Sequence, residues 1–207
     1  MTDQEMTPPE TYRLHVRNLL AIIRALATRT AENYTDIDDF SAHFIGRLDA
    51  VARAENAFFR GFGERIDLEE VVRDELLAQG ADGDRYDVTG PAVWVKSQTA
   101  RVLALALHEL AVNAIKFGAL GQADGRLDVQ WRFLADGDNA LRLEWREHGV
   151  HEMASGPTRY GMGRELLERG LNHQIGASTT LQFAPGGVGC VITIPSRNVE
   201  PAESEAP

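Results

Sequence analysis

The stretch His108-Glu-Leu-Ala-Val-Asn-Ala-Ile-Lys-Phe-Gly-Ala-Leu120 most limits what this chain can become. It closes an apolar run, Val102 to Ala114, that holds no proline or glycine and so reads as helix. On a helix Glu109, Asn113 and Lys116 stand at i, i+4 and i+7 and share one stripe. Leu103, Leu107, Leu110 and Ala114 share another, which would face a core. A carboxylate, a carboxamide and an ammonium lined up on a mostly buried helix form an unusual set. The carboxamide oxygen can ligate a hard metal ion, the carboxylate can position water or a proton, and the ammonium can pair with phosphate. The solvated face of an amphipathic helix accounts for the same spacing. Gly118 is expected to end the helix as a flexible C-terminal cap.

With 207 residues there is room for one large domain or two small ones, and an apolar fraction of 43% is enough for a real core. A net charge of −10 argues against nucleic acid as a partner, because phosphate contacts need a basic surface. The single cysteine, Cys190, lies in an apolar strand-like context, so it reads as buried and inert, and a reducing cytosol fits. No run of eighteen apolar residues occurs, and the first ten residues, MTDQEMTPPE, are unlike a signal peptide. The expectation is a soluble cytoplasmic protein with no membrane association.

Taken in order, residues 1–10 read as a disordered lead-in, with Pro8-Pro9 at their end. Thr11 to Ala31 carries a helical pattern, with Leu19, Ile22, Ile23 and Leu26 apolar and Arg13, Arg17, Arg24 and Arg29 in the wet positions. Thr35 with Asp38 resembles a capping box ahead of a second helix through Phe40, Phe44, Leu48 and Val51 to about Phe59. Such a helical hairpin is too small to bury its own stripe, so two copies joining as a four-helix bundle is the natural solution. Gly61-Phe-Gly63 is the candidate hinge, which divides the chain into a hairpin over 11–63 and a second domain over 64–195. Asp67 with Glu70 caps a third helix that stops at Gly80. Tyr86–Thr89 and Val93–Val95 read as short strands around Gly90-Pro91. Leu127, Val129, Trp131 and Phe133 alternate with polar residues, as do Leu141, Leu143 and Trp145, which makes a hairpin with one dry and one wet face. A helix over Met162–Leu171 and a hairpin joining Thr179–Phe183 to Cys190–Ile194 complete the second domain, and 196–207 reads as a disordered acidic tail. The fold class expected is α+β, a helical hairpin followed by helices layered on an antiparallel-rich sheet.

The pattern His108-Glu-Leu-x-x-Asn-Ala-x-Lys-Phe-Gly-Ala-Leu resembles the N-box of the histidine kinase ATP-binding (Bergerat-type) domain, in the form carried by the HWE family. That family is named for this histidine and for a Trp-x-Glu, matched downstream by Trp145-Arg146-Glu147. The resemblance covers about residues 11–195 and implies ATP and Mg²⁺ as cofactors, with Asn113 holding the metal. In histidine kinases generally an aspartate accepts from the adenine amino group. Glu147 stands in that place here, and Gly149 lets the chain approach the base closely. Gly161-Met-Gly163 resembles the G-box, whose backbone N–H groups hold phosphate at a helix start. Val150 to Tyr160 would then be a short ATP lid, with Arg159 and Arg164 either adding charge to the phosphates or merely solvated. His108 reads either as a structural group hydrogen-bonded to the Trp145 strand or as a direct catalytic group. Trp145 reads as core packing rather than base stacking.

The first helix resembles the family's dimerisation and phosphotransfer helix, whose usual motif is His-Arg-Val-Lys-Asn-Leu-Leu. Alignment on Val16, Asn18, Leu19 and Leu20 places the family's histidine on Leu14, and His15 falls one place later. His15 and Asn18 are three apart rather than four, a rotation of about 100°. Three readings follow: His15 accepts phosphate and Asn18 orients a phosphate or water; the chain does not autophosphorylate; or His43 is the acceptor.

The reading implied by the resemblance is an ATP-dependent protein-histidine autokinase that passes phosphate from His15 to the receiver domain of a response regulator in a two-component system. It would act as a homodimer through the hairpin. Because the hairpin begins near residue 10, input is expected from a separate sensor protein or is absent. The alternative is a histidine phosphotransferase or docking protein of the same shape that does not use ATP. A serine-type anti-sigma kinase on the same ATP fold is a third, weaker reading.

Overall fold

The computed structural model describes residues 8–60, 65–135, 138–151 and 162–202. The chain forms two compact units, Met1–Leu48 and Asp49–Pro207. The Gly61–Gly63 hinge expected from sequence, most of the lid segment and Gly161 lie outside the described residues.

Two helices, α1 (Pro8–Asn33) and the first part of α2 (Ile37–Arg60), make the first unit. Helix α1 starts at Pro8, inside the stretch expected to be disordered. A proline suits the first helical turn, where its missing N–H would have no intrahelical partner. The cap of α2 is Asp36 rather than a Thr35–Asp38 box. Its Oδ1 accepts from the backbone N–H of Asp38 at 2.9 Å and of Asp39 at 3.2 Å. Between the helices, buried Arg47 donates to Thr30 Oγ1 at 3.1 Å, and Thr30 donates to the Leu26 carbonyl at 2.7 Å. Leu20, Ile37 and Ile45 remain exposed on this unit.

The second unit is built on a five-stranded sheet with order β2-β4-β5-β7-β6. Its strands are β2 (Tyr86–Thr89), β4 (Arg126–Phe133), β5 (Leu141–His148), β6 (Ser178–Ala184) and β7 (Gly187–Ile194). Only the β2–β4 pairing is parallel. As the alternation predicts, Leu127, Val129 and Trp131 of β4 and Leu141, Leu143 and Trp145 of β5 are buried on one face. Helices α3 (Leu68–Ala78), α4 (Ser97–Lys116) and α6 (Leu171–Ile175) supply the other half of the core through Val72, Leu76, Leu103, Leu107, Leu110 and Leu171. Asp67 caps α3 by accepting from Glu69 N–H at 2.9 Å. The predicted helix over Met162–Leu171 is divided into α5 (Met162–Glu165), a π-helical turn (Leu166–Gly170) and α6.

Sequence periodicity missed a second, three-stranded sheet of β1 (Arg65–Asp67), β3 (Val93–Lys96) and β8 (Val199–Pro201), in the order β1-β3-β8. The tail expected to be disordered from Ser196 therefore begins with a 3-10 turn (Ser196–Asn198) and continues into a strand. Its acidic composition hides Val199, which is buried against β3, while Ala202 N–H donates to the Ala92 carbonyl at 2.9 Å. Truncation after Ser196 should remove this strand and lower the unfolding free energy by about 2 kcal/mol from Val199 burial alone. Urea unfolding monitored by circular dichroism checks this, and an unchanged midpoint would mean that β8 contributes nothing.

Candidate active site

From Thr99 to Ala111 every residue of α4 is buried, and the helix emerges from the core only at its C-terminal end. The stripe read from sequence follows that gradient. Glu109 is buried, whereas Asn113 and Lys116 are exposed. The amphipathic-face reading therefore fails for Glu109, which lies in the dry part of the helix.

Two neighbours frame the stripe. At one end Gly163, at the start of α5, lies so close to Glu109 that a Cβ there would overlap the carboxylate and its stem. A side chain at position 163 would have to displace that carboxylate. At the other end Gly118 presses against the Glu147 carboxylate in the same way. Gly118 follows Phe117, the C-cap of α4, so the helix ends at the glycine as expected from sequence. Its φ is −112°, its N–H donates to the Asn113 and Ala114 carbonyls at 3.1 Å each, and close approach to Glu147 is what requires glycine there. Glu109, Asn113, Lys116, Gly163 and Glu147 are thus brought along one helix end.

Glu147 occupies the last inner position of β5, in the row of Leu141, Leu143 and Trp145. Its Oε2 accepts from the Ala119 backbone N–H at 3.0 Å and its Oε1 from Trp145 Nε1 at 3.3 Å. Burial raises its pKa above the ordinary carboxylate range, and the two hydrogen bonds only partly offset that. Trp145 is fully buried, as expected for core packing, and it also supplies this donor. Gly149, two residues on, has φ +74°, and a Cβ would sit 2.7 Å from the Asp124 carbonyl.

The loop that presents Ala119 to Glu147 is held by a residue that sequence reading overlooked. The Arg85 guanidinium donates to the carbonyls of Ala119 at 2.8 Å, Gly125 at 3.0 Å and Leu120 at 3.2 Å, and also to that of Gln122. Nothing in the local pattern marks this arginine, because its partners lie more than thirty residues away.

His108 is buried and structural, but its partners differ from the expected ones. It meets Gln79, the C-cap of α3, at 3.2 Å and stands 3.7 Å from Glu75 of α3, and among the described residues it makes no hydrogen bond to β5. Arg164 pairs with Glu168 of its own helical run at 2.6 Å, and Arg159 lies outside the described residues. His15 is half-buried on α1, with Asn18 exposed nearly one turn on. His43 stacks on Tyr34, with centroids 4.2 Å apart and planes 17° from parallel, which ties it to the hairpin. Cys190 is buried and its thiol is pushed up to about 12 by desolvation, so it is inert.

The residues suit a magnesium nucleotide. Among the described residues no group of three His, Cys, Asp or Glu side chains could hold a metal alone. One exposed carboxamide is what an ion shared with phosphates needs, since Mg²⁺ usually takes few protein ligands and keeps phosphate oxygens and water. A cleft of about 390 Å³ lined by Arg146, His148 and Gln182, and also by Glu147 and Gly149, includes none of the α4 stripe. Among the described residues no helix is long and apolar enough to cross a membrane.

Comparison with known proteins bears on what this arrangement is. The family model described as HWE histidine kinase matches residues 14–92. A blue-light-activated histidine kinase of Brucella anthropi is 29% identical over 174 residues, which is 83% of this chain and 35% of that protein. The chain thus spans about a third of the length of the curated relatives it matches. Among solved structures, the histidine kinase domain of the Erythrobacter litoralis blue-light-activated kinase EL346 superposes with a TM-score of 0.60 at 18% identity, covering 87% of this chain and 85% of that one. The longer EL346 structure gives 0.67 at 16% identity, over 94% of this chain and 62% of that one. The second unit therefore has the fold of histidine kinase domains, and the chain is similar in sequence to the HWE histidine kinase model over residues 14–92 and to blue-light-activated histidine kinases over most of its length.

Proposed function

We propose that this chain is an ATP-dependent protein-histidine autokinase that hands its phosphate to the receiver domain of a response regulator. The observation that carries the reading is the clasp of α4 between Gly163 at Glu109 and Glu147 at Gly118. In the proposed roles Glu147 accepts from the adenine amino group and Gly149 admits the base. Gly161 and Gly163 offer backbone N–H groups to phosphate, and Lys116 adds charge. Asn113 would hold Mg²⁺, which supplies charge neutralisation on the phosphates.

A ring nitrogen of His15 forms the bond to the γ-phosphorus as the bond to the ADP oxygen breaks, and Glu109 accepts the proton leaving the imidazole. Asn18 orients the phosphate or a water. The hairpin over 11–63 serves dimerisation and phosphotransfer, and its exposed Leu20 and Ile45 favour a homodimer. The domain over 64–195 binds the nucleotide. A cytoplasmic setting completes the proposal.

Incubation with γ-labelled ATP and Mg²⁺ tests it. The wild type should take up acid-labile label. His15→Ala should take up none while binding nucleotide unchanged, and Asn113→Ala should lose at least tenfold in Mg-dependent nucleotide affinity, about 1.4 kcal/mol. Label kept in His15→Ala would move the acceptor elsewhere. An unlabelled wild type that accepts phosphate from a phosphorylated regulator would establish the relay instead.

Glu147 makes a second, pH-dependent prediction. Its folded pKa is raised, so the folded state keeps a proton that the unfolded state releases. The stability this gives is fully present below the unfolded carboxylate pKa and is lost as pH rises through the folded value. Glu147→Gln should remove that loss in urea titrations begun near pH 4 and raised to neutrality. The same change should weaken nucleotide binding about tenfold, since a carboxamide presents one acceptor where the carboxylate presents two. A Gln variant that keeps both the pH slope and the affinity would refute the assigned role.

A further inference from the structure

The last turns of α2 belong to the second unit, where Ala54 and Ala57 enter the core. Two ion pairs fasten them. Arg53 donates through Nε and Nη2 to the two oxygens of Glu75 on α3, at 2.9 and 2.6 Å, a two-pronged geometry on a carboxylate that is 1% exposed. That carboxylate stands 3.7 Å from Nδ1 of His108, which Gln79 Nε2 also meets at 3.2 Å. Nδ1 thus lies within reach of both the Gln79 amide and the Glu75 carboxylate. The second pair joins Glu55 of α2 to Arg101 of α4 at 2.7 Å, both groups buried.

Arg101 and His108 are seven residues apart on α4, so the two anchors lie on one face, two turns apart. Two fixed points on one face hold a helix against rotation about its axis, which a single point does not. The residue after His108 is Glu109, turned by about 100° toward Gly163. None of Arg53, Glu55, Glu75 and Arg101 belongs to the nucleotide site described above.

We infer that Arg53 and Glu75 are positioning residues that act through His108. Together with Glu55–Arg101 they set the rotation of α4 and so hold the Glu109 carboxylate at the mouth of the site. The inference rests on the proposed role of Glu109, and it makes α2 part of the machinery that aligns the acid rather than only a carrier of the dimer surface. A small turn of α4 would move Glu109 off the α5 start while leaving the base site at Glu147, beyond the helix end, in place.

The test uses the full chain with Arg53→Met and Glu75→Gln combined, because either change alone strands a charge in the interior. Phosphate incorporation should fall at least tenfold in kcat with the KM for ATP changed less than threefold. Hydrogen exchange at the amides of residues 105–113 should rise at least tenfold while β4, β5 and β7 keep their protection. Arg53→Lys, which offers a point charge without the fork, should fall between wild type and the double variant, and it decides the matter if the double variant does not fold. Unchanged kcat and exchange would overturn the inference. So would a parallel loss in kcat and KM, or a uniform rise in exchange, since either marks a purely structural pair. A wild type that takes up no label would instead refute the kinase reading, and the local exchange readout would still judge the anchor.

Discussion

The structure depends on one constraint, the near-complete burial of α4. A helix dry on all sides has no wet face on which to leave polar groups, yet this one carries Arg101, His108 and Glu109 within its buried length. Each must be answered by a partner from another element, and the surrounding architecture supplies those partners. Arg101 is answered by Glu55 of α2 and His108 by Gln79 at the C-cap of α3, while Glu109 lies against Gly163. The packing of α2, α3 and α5 around α4 is thereby specified by polar pairing as well as by shape. Apolar contacts alone would tolerate slippage that an unmet arginine or carboxylate would not.

That constraint also locates the site. The stripe Glu109, Asn113 and Lys116 runs from the dry interior to the exposed helix end, so one element offers a shielded carboxylate, then a carboxamide and an ammonium open to solvent. Charged chemistry on a nucleotide calls for that order. In the proposed roles the proton-handling group benefits from low dielectric, while the groups assigned to metal and phosphate must be reachable.

Much of this was legible in the sequence where the signal was local. Helix periodicity gave α4 and its stripe, two-residue alternation gave the β4–β5 hairpin with its dry face, and β6–β7 was legible as a hairpin. What stayed hidden came from long-range pairing. Val199 is the one buried residue of a polar three-residue strand, so nothing in its neighbours announces β8. Asp36 and Thr35 are both good caps, and backbone geometry alone chose between them. The motif suggested β5 as the partner of His108, whereas the ring meets Gln79 and Glu75, which lie outside the motif.

Glu147 is where local and global preferences part. Alternation carries it onto the inner face behind Leu141, Leu143 and Trp145, where an apolar side chain would avoid the desolvation that raises its pKa. Buried polar groups replaced by well-packed apolar ones are often neutral or stabilising, so packing alone does not explain a carboxylate here. The chain further commits Arg85 to gathering four carbonyls of the irregular turn after α4, the same turn that presents the Ala119 N–H to Glu147. Such a turn has no ladder of its own: its backbone N–H groups reach the Ala119 and Gln122 carbonyls at 3.2 Å each, and the guanidinium adds a donor to those two and to Leu120 and Gly125. An unfavourable carboxylate held by a turn that itself engages an arginine is reasonable only if the position of that carboxylate matters. The proposed contact with the adenine amino group gives it a reason to be there.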